Sequence, residues 1–153
     1  ANSDVQFVWQ TGKLYFEEMK KRVSEAGKPD NLVVTDFVSN MADALSAADL
    51  VVSRAGAGSI SEFALLGKAV ILVPSPNVSE DHQTKNAMAL VEKGAAAIVP
   101  DSEAVERGMK VALELVANKE RLEELRTNIA KLAISDAAER VVKEIENELN
   151  KAL

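Results

Sequence analysis

Short apolar runs alternate with longer segments of mixed polarity along this chain, the pattern of strands and amphipathic helices in turn. Val5-Gln-Phe-Val-Trp9 reads as a first strand, and residues 14–26 follow as a helix that Gly27 and Pro29 end. Leu32-Val-Val-Thr35 is a second strand, followed by a short helix at residues 41–48. The third strand, residues 50–53, leads into a helix that starts near Ser59 and stops at Gly67, and Ala69-Val-Ile-Leu-Val73 is the fourth strand. Pro74-Ser-Pro-Asn-Val-Ser-Glu80 is a prolyl loop, residues 81–92 a helix closed by Gly94, and residues 96–99 a short fifth strand. From Ser102 the chain is helical, with breaks near Asn118 and Ser135 and a capping-box start at Asp136-Ala-Ala-Glu139. This alternation predicts an α/β fold, a doubly wound parallel sheet with helices on both faces.

A chain of 153 residues can bury a sizeable core, and no repeat, low-complexity tract or interdomain linker interrupts it, so one domain over residues 1–153 is expected. A net charge of −6 argues against a general binder of nucleic acid or membrane surfaces. With no cysteine and one histidine there is neither a disulfide framework nor a thiolate or multi-histidine metal centre. No metal or cofactor is expected, and the cysteine usage points to the cytoplasm. No apolar run approaches the ~18 residues of a membrane span, and Ala-Asn-Ser-Asp4 lacks the character of a leader. The absent initiator methionine reads as a processed or excised piece.

The chemistry concentrates after the strands, where ligands of such sheets bind. The segments there are Gln10-Thr-Gly-Lys13, Asp36-Phe-Val-Ser-Asn-Met41, residues 54–59 and residues 74–86. In Arg54-Ala-Gly-Ala-Gly-Ser-Ile-Ser-Glu62 a buried strand runs into a glycine turn and then a helix. Such a turn lets backbone N–H groups approach a phosphate with the helix dipole behind them. Glu62, about one turn further on, has the chemistry to accept hydrogen bonds from two ribose hydroxyls. Ser59-Ile-Ser-Glu62 also fits a capping box that merely ties down its own helix, and both readings stand on these residues. His82, Gln83 and Asn86 offer neutral donors and acceptors within one helical turn, as sugar hydroxyls require, or they are the wet first turn of a helix capped by Asp81.

Thr35-Asp-Phe-Val-Ser-Asn-Met41, Ala48-Asp-Leu-Val-Val-Ser-Arg-Ala-Gly-Ala-Gly-Ser-Ile-Ser-Glu62, Asp81-His-Gln-Thr-Lys-Asn-Ala87 and Glu92-Lys-Gly-Ala-Ala96 together resemble the carboxyl-terminal domain of the MurG family. These are bacterial N-acetylglucosamine transferases of peptidoglycan synthesis with the two-domain GT-B fold, and the resemblance runs from Trp9 to Arg140. It implies a Rossmann-like half that binds UDP-N-acetylglucosamine for transfer to lipid I, at the inner face of the plasma membrane and without membrane insertion by this chain. By the same resemblance, backbone groups of Phe37 and Val38 pair with uracil and Met41 packs nearby. Arg54 and the Ala57-Gly58-Ser59 turn lie near the diphosphate, and Glu62 takes the ribose. His82 and Gln83 read the N-acetylglucosamine hydroxyls with Asn86 in support, although His82 stands where the family commonly has glutamine.

Two parts of the family pattern are missing: the amino-terminal acceptor domain, with the proposed catalytic base, and the first strand of the donor domain with its glycine-rich loop. No catalytic residue is therefore assigned, and turnover by this chain alone is expected to be negligible. The missing strand would lie between the first and third strands seen here. Either these close up into a five-stranded sheet of order 2-1-3-4-5, or another segment, the acceptor-domain part of a parent or a second copy fills the gap. A non-catalytic excised or engineered fragment of the family is the competing reading. A phosphoacceptor receiver lacks its acidic residues at Gln10 and Ser53-Arg54, a dinucleotide oxidoreductase would carry its glycines after the first strand, and an epimerase's carboxylate and histidine machinery is not recognisable.

Overall fold

In the computed structural model, residues 4–76 and 81–152 are described, the last by its backbone alone; residues 77–80 of the expected prolyl loop and residues 1–3 lie outside them. The chain divides into two compact units, Ala1–Ala44 and Leu45–Leu153.

In the first unit, β1 (Phe7–Gln10) and β2 (Leu32–Thr35) pair in parallel, Phe7 opposite Leu32 and Gln10 opposite Thr35, with α1 (Phe16–Glu25) as the crossover between them. Parallel pairing demands such a crossover because a tight turn cannot reverse the chain twice. Gly27 ends α1 in the left-handed region at φ +97°, its N–H on Ser24 O at 3.2 Å and that of Lys28 on Val23 O at 2.9 Å. This is a Schellman closure, in which glycine avoids the Cβ penalty of positive φ. Asn40 then caps α2 (Met41–Ala47), its Oδ1 accepting the Asp43 N–H at 3.2 Å.

The second unit is built on β3 (Leu50–Ser53), β4 (Ala69–Leu72) and β5 (Ala97–Ile98), all parallel with β4 in the centre. Every residue of β4 is fully buried, which is why it reads in sequence as an uninterrupted apolar run. α3 (Ala57–Leu65) links β3 to β4, and α4 (His82–Val91) precedes β5. A short 3-10 turn at Asp101–Glu103 leads to α5 (Ala104–Ala117), then α6 (Lys119–Ala130) and α7 (Ala137–Ala152). Ile71, Val73, Val99 and Ala112 form one buried cluster, with Val111 and Leu115 of α5 packed against it. Ala69, Leu122 and Leu125 form another, which brings α6 onto the sheet. Asn118 separates α5 from α6 and caps the latter through Arg121 N at 3.0 Å.

The α/β class, the parallel pairing and the helical carboxyl-terminal third are as expected, but the closed order 2-1-3-4-5 is not: among the described residues the strands form two sheets, β1-β2 and β3-β4-β5. α1 connects the strands of the first sheet and α3 and α4 those of the second, and among the described residues no ladder joins β1 to β3.

Candidate functional site

In the first unit the residues after β2 are held by the last side chains of β1 and β2. Thr35 Oγ1 donates to Phe37 O at 2.9 Å, and Val38 N–H donates to Gln10 Oε1 at 2.8 Å. Two of the backbone groups expected to meet a base are thus already engaged. The Phe37 N–H and Val38 C=O make no hydrogen bond among the described residues. The Phe37 ring is exposed, and Met41 is half-buried at the first position of α2.

In the second unit, β3 ends at Ser53 and α3 begins at Ala57, with Gly56 in extended conformation at the cap. The first bond of this helix is Ile60 N–H to Gly56 O at 3.0 Å. The N–H groups of Ala57, Gly58 and Ser59 therefore have no partner within the helix, as at every helix start, and carry the positive end of its dipole. A Cβ placed on Gly56 or Gly58 would meet nothing within 4 Å. Neither glycine is demanded by the protein's own packing, and the backbone there faces open space.

Two sequence expectations change. Ser59 lies inside α3 and no side chain caps this helix, so the Ser59-to-Glu62 capping box does not form; the helix starts earlier because Gly56 reaches the cap conformation without help. Glu62 is exposed and its carboxylate makes no hydrogen bond or ion pair among the described residues, so it is not consumed by its own helix. Likewise Asp81 does not cap α4 through its side chain: it sits in the left-handed region at φ +56°, where a carboxylate does not reach forward to the helix N–H groups.

α4 instead grips the turn after β3. Ala55 is fully buried, and both its backbone groups are satisfied by side chains of α4: Gln83 Oε1 accepts its N–H at 3.2 Å and Asn86 Nδ2 donates to its carbonyl at 3.2 Å. Gln83 Oε1 also accepts the Ser75 N–H at 2.9 Å, tying the loop after β4 to the same point. Arg54 extends alongside, its Nη1 donating to Val73 O at 3.2 Å, Pro74 O at 3.4 Å and the Asp101 carboxylate. The structure thus gathers Arg54, the Ala57-to-Ser59 turn, Gln83 and Asn86 around Ala55, with His82 exposed at the head of α4. Phe37, Val38 and Met41 belong to the first unit. Sequence reasoning missed Asp101, which lies just past β5. Interrogating the residues after the fifth strand as after the first four would have found it.

Residues 1–141 match the family described as glycosyltransferase family 28 C-terminal domain. The chain belongs to that family. Among its relatives, the UDP-N-acetylglucosamine–N-acetylmuramyl-(pentapeptide) pyrophosphoryl-undecaprenol N-acetylglucosamine transferase of Bacteroides fragilis is 61% identical over 94% of this chain. The enzyme of the same name from Bacteroides thetaiotaomicron is 59% identical over 94% of it. The crystal structure of Acinetobacter baumannii MurG superposes on 92% of the chain with a TM-score of 0.79 at 33% identity. The chain spans 38% of the length of the B. fragilis relative and 40% of that MurG structure. The resemblance read from the sequence motifs is borne out, and with it the α/β fold of this glycosyltransferase family. Among the described residues no helix is long and apolar enough to cross a membrane.

Proposed function

We propose that this chain is the donor-binding part of a transferase that moves N-acetylglucosamine from UDP-N-acetylglucosamine to the lipid-linked N-acetylmuramyl acceptor, lipid I. The observation that carries the reading is the start of α3: among the described residues the N–H groups of Ala57, Gly58 and Ser59 have no acceptor, the Cβ positions of Gly56 and Gly58 meet nothing within 4 Å, and the Glu62 carboxylate one turn on is unengaged. Donors at a helix start suit a diphosphate, and a free carboxylate suits a vicinal diol. Arg54 supplies a cation beside that turn. On the first unit, the open Phe37 N–H and Val38 C=O offer one donor and one acceptor, the complement of a uracil edge, and Met41 offers an apolar contact. His82 reads sugar hydroxyls. Gln83 contributes through its Nε2 donor, since its oxygen is held by two backbone N–H groups. Asn86 acts through the turn that it holds.

Glycosyl transfer requires the acceptor hydroxyl to be held in line with the anomeric carbon, and such positioning contributes many orders of magnitude in rate. No described residue is assigned to the acceptor or to the base, so an acceptor-binding part must complete the enzyme, and this chain alone turns over negligibly. The family's setting at the cytoplasmic face of the membrane goes with this reading. The second reading, a piece that keeps the fold without binding, is favoured by the two unjoined sheets. Amide shift mapping separates the two. Millimolar UDP-N-acetylglucosamine should move the resonances of Ala57 to Ser59 and of Phe37 and Val38, whereas an unchanged spectrum favours the inert fragment.

A further inference from the structure

Arg54 leaves the end of β3 and is exposed over about half of its side chain, yet its guanidinium is held by three acceptors. Two are the carbonyls of Val73 and Pro74 at the end of β4, and the third is the carboxylate of Asp101 beyond β5. All three contacts converge on Nη1. Nη2 and Nε make no hydrogen bond with any described residue. A guanidinium is a rigid planar fork, so fixing one nitrogen fixes the direction of the opposite edge, and the Nη2–Nε edge is one that takes a phosphate in bidentate fashion.

We propose that Asp101 is a positioning residue for the diphosphate: it anchors Arg54 through Nη1, so that the Nη2–Nε edge is presented beside the start of α3. This rests on the donor-site reading above. An exposed ion pair alone holds a long side chain loosely. Here the two carbonyls just past β4 share the load, and among the described residues Asp101 is the only charged acceptor on the arginine. The anchor reduces the side-chain freedom that a binding phosphate would otherwise have to freeze.

The opposite effect is also physical, since the Asp101 charge offsets that of Arg54 and repels a phosphate. Two variants of the full chain separate them. Asp101→Asn keeps an oxygen acceptor and removes the charge; Asp101→Ala removes both. Positioning predicts that Asp101→Ala weakens UDP about 3- to 10-fold, the range expected for one freed long side chain. Uridine, which lacks the phosphates, should bind Asp101→Ala as it binds the parent chain, and Asp101→Asn should hold UDP at least as well as the parent chain does. Tighter or unchanged UDP binding by Asp101→Ala overturns the proposal, as does an equal loss for uridine, which would mark general damage to the site.

Nitrogen relaxation of the Arg54 Nε–H group supplies a readout that needs no ligand. It should report an ordered side chain in the parent and a mobile one in Asp101→Ala, and equal order in both overturns the anchoring. If the parent chain binds neither UDP nor uridine, the donor-site reading falls and the diphosphate role with it, while the relaxation result still shows whether Asp101 anchors Arg54.

Discussion

The carboxamide oxygen of Gln83 accepts the N–H of Ala55, a residue with no exposed surface, and the same oxygen accepts the N–H of Ser75. One side chain on α4 thereby fixes the loops that follow β3 and β4. Replacing Gln83 by alanine leaves the Ala55 N–H buried without its acceptor, and a group so stranded costs about 1–3 kcal/mol. Urea denaturation should show a loss of that size for Gln83→Ala and a smaller one for Gln83→Glu, which keeps an oxygen in place. Equal losses would mean that packing, and not the acceptor, is what the glutamine provides.

Gln10 has the corresponding place in the first unit, where it takes the Val38 N–H at 2.8 Å. Gln10→Ala should free the loop proposed to meet the uracil and weaken UDP about 2- to 10-fold, the value of one net hydrogen bond. Gln10→Glu retains an acceptor and should restore most of the affinity in the same titration. An unchanged affinity for Gln10→Ala would separate this contact from base recognition.

The fold was legible where a residue's neighbours along the chain decide its state. The all-apolar Ala69 to Val73 run announced a strand, which the structure places at the buried centre of its sheet, and Gly27 and Gly67 announced helix ends, both at positive φ; the third strand, expected to be buried, is only partly so, with Val52 exposed. The start of α3 was misplaced because Ser59 and Glu62 spell a cap that Gly56, two residues past Arg54, pre-empts. Whether the sheet closes was left open by the sequence, because strand order across a gap depends on contacts remote in the chain, which no local pattern encodes. At the candidate site, Arg54, Glu62 and the glycine turn were visible as types at a spacing. The grip of Gln83 and Asn86 on Ala55 was not, since it joins residues 28 and 31 positions apart through backbone groups that every residue carries.

The second unit's stability should rest on the packing of α6 against β4. Leu125 is fully buried and packs with Ala69 and Leu122. Leu125→Ala should cost about 2–5 kcal/mol through lost burial and a residual cavity. Val105, almost wholly exposed on α5, should cost less than about 0.5 kcal/mol when changed to alanine. Denaturant midpoints of the two variants should differ accordingly, and similar midpoints would contradict this location of the core.

Asp136 precedes α7 and takes a 2.8 Å contact from Arg140 Nε, which holds its carboxyl below the ordinary carboxylate value. A carboxyl lowered in the folded state contributes stability above its unfolded pKa and loses it as the pH falls through the folded one. Amide exchange in the first turn of α7 should therefore accelerate on strong acidification relative to its intrinsic rate. Asp136→Asn should lack that acid-induced change, and an identical acid response in the variant would remove Asp136 as its source.

The most direct test of the donor site is calorimetric titration of UDP-N-acetylglucosamine into this chain and into its Glu62→Ala variant. The account predicts saturable binding by the parent chain, weakened at least about 10-fold when the carboxylate that accepts two ribose hydroxyls is removed, as expected for hydrogen bonds to a charged group. Equal binding by both proteins would contradict the role of Glu62, and no heat or thermal stabilisation of the parent chain at millimolar ligand would contradict the donor site itself.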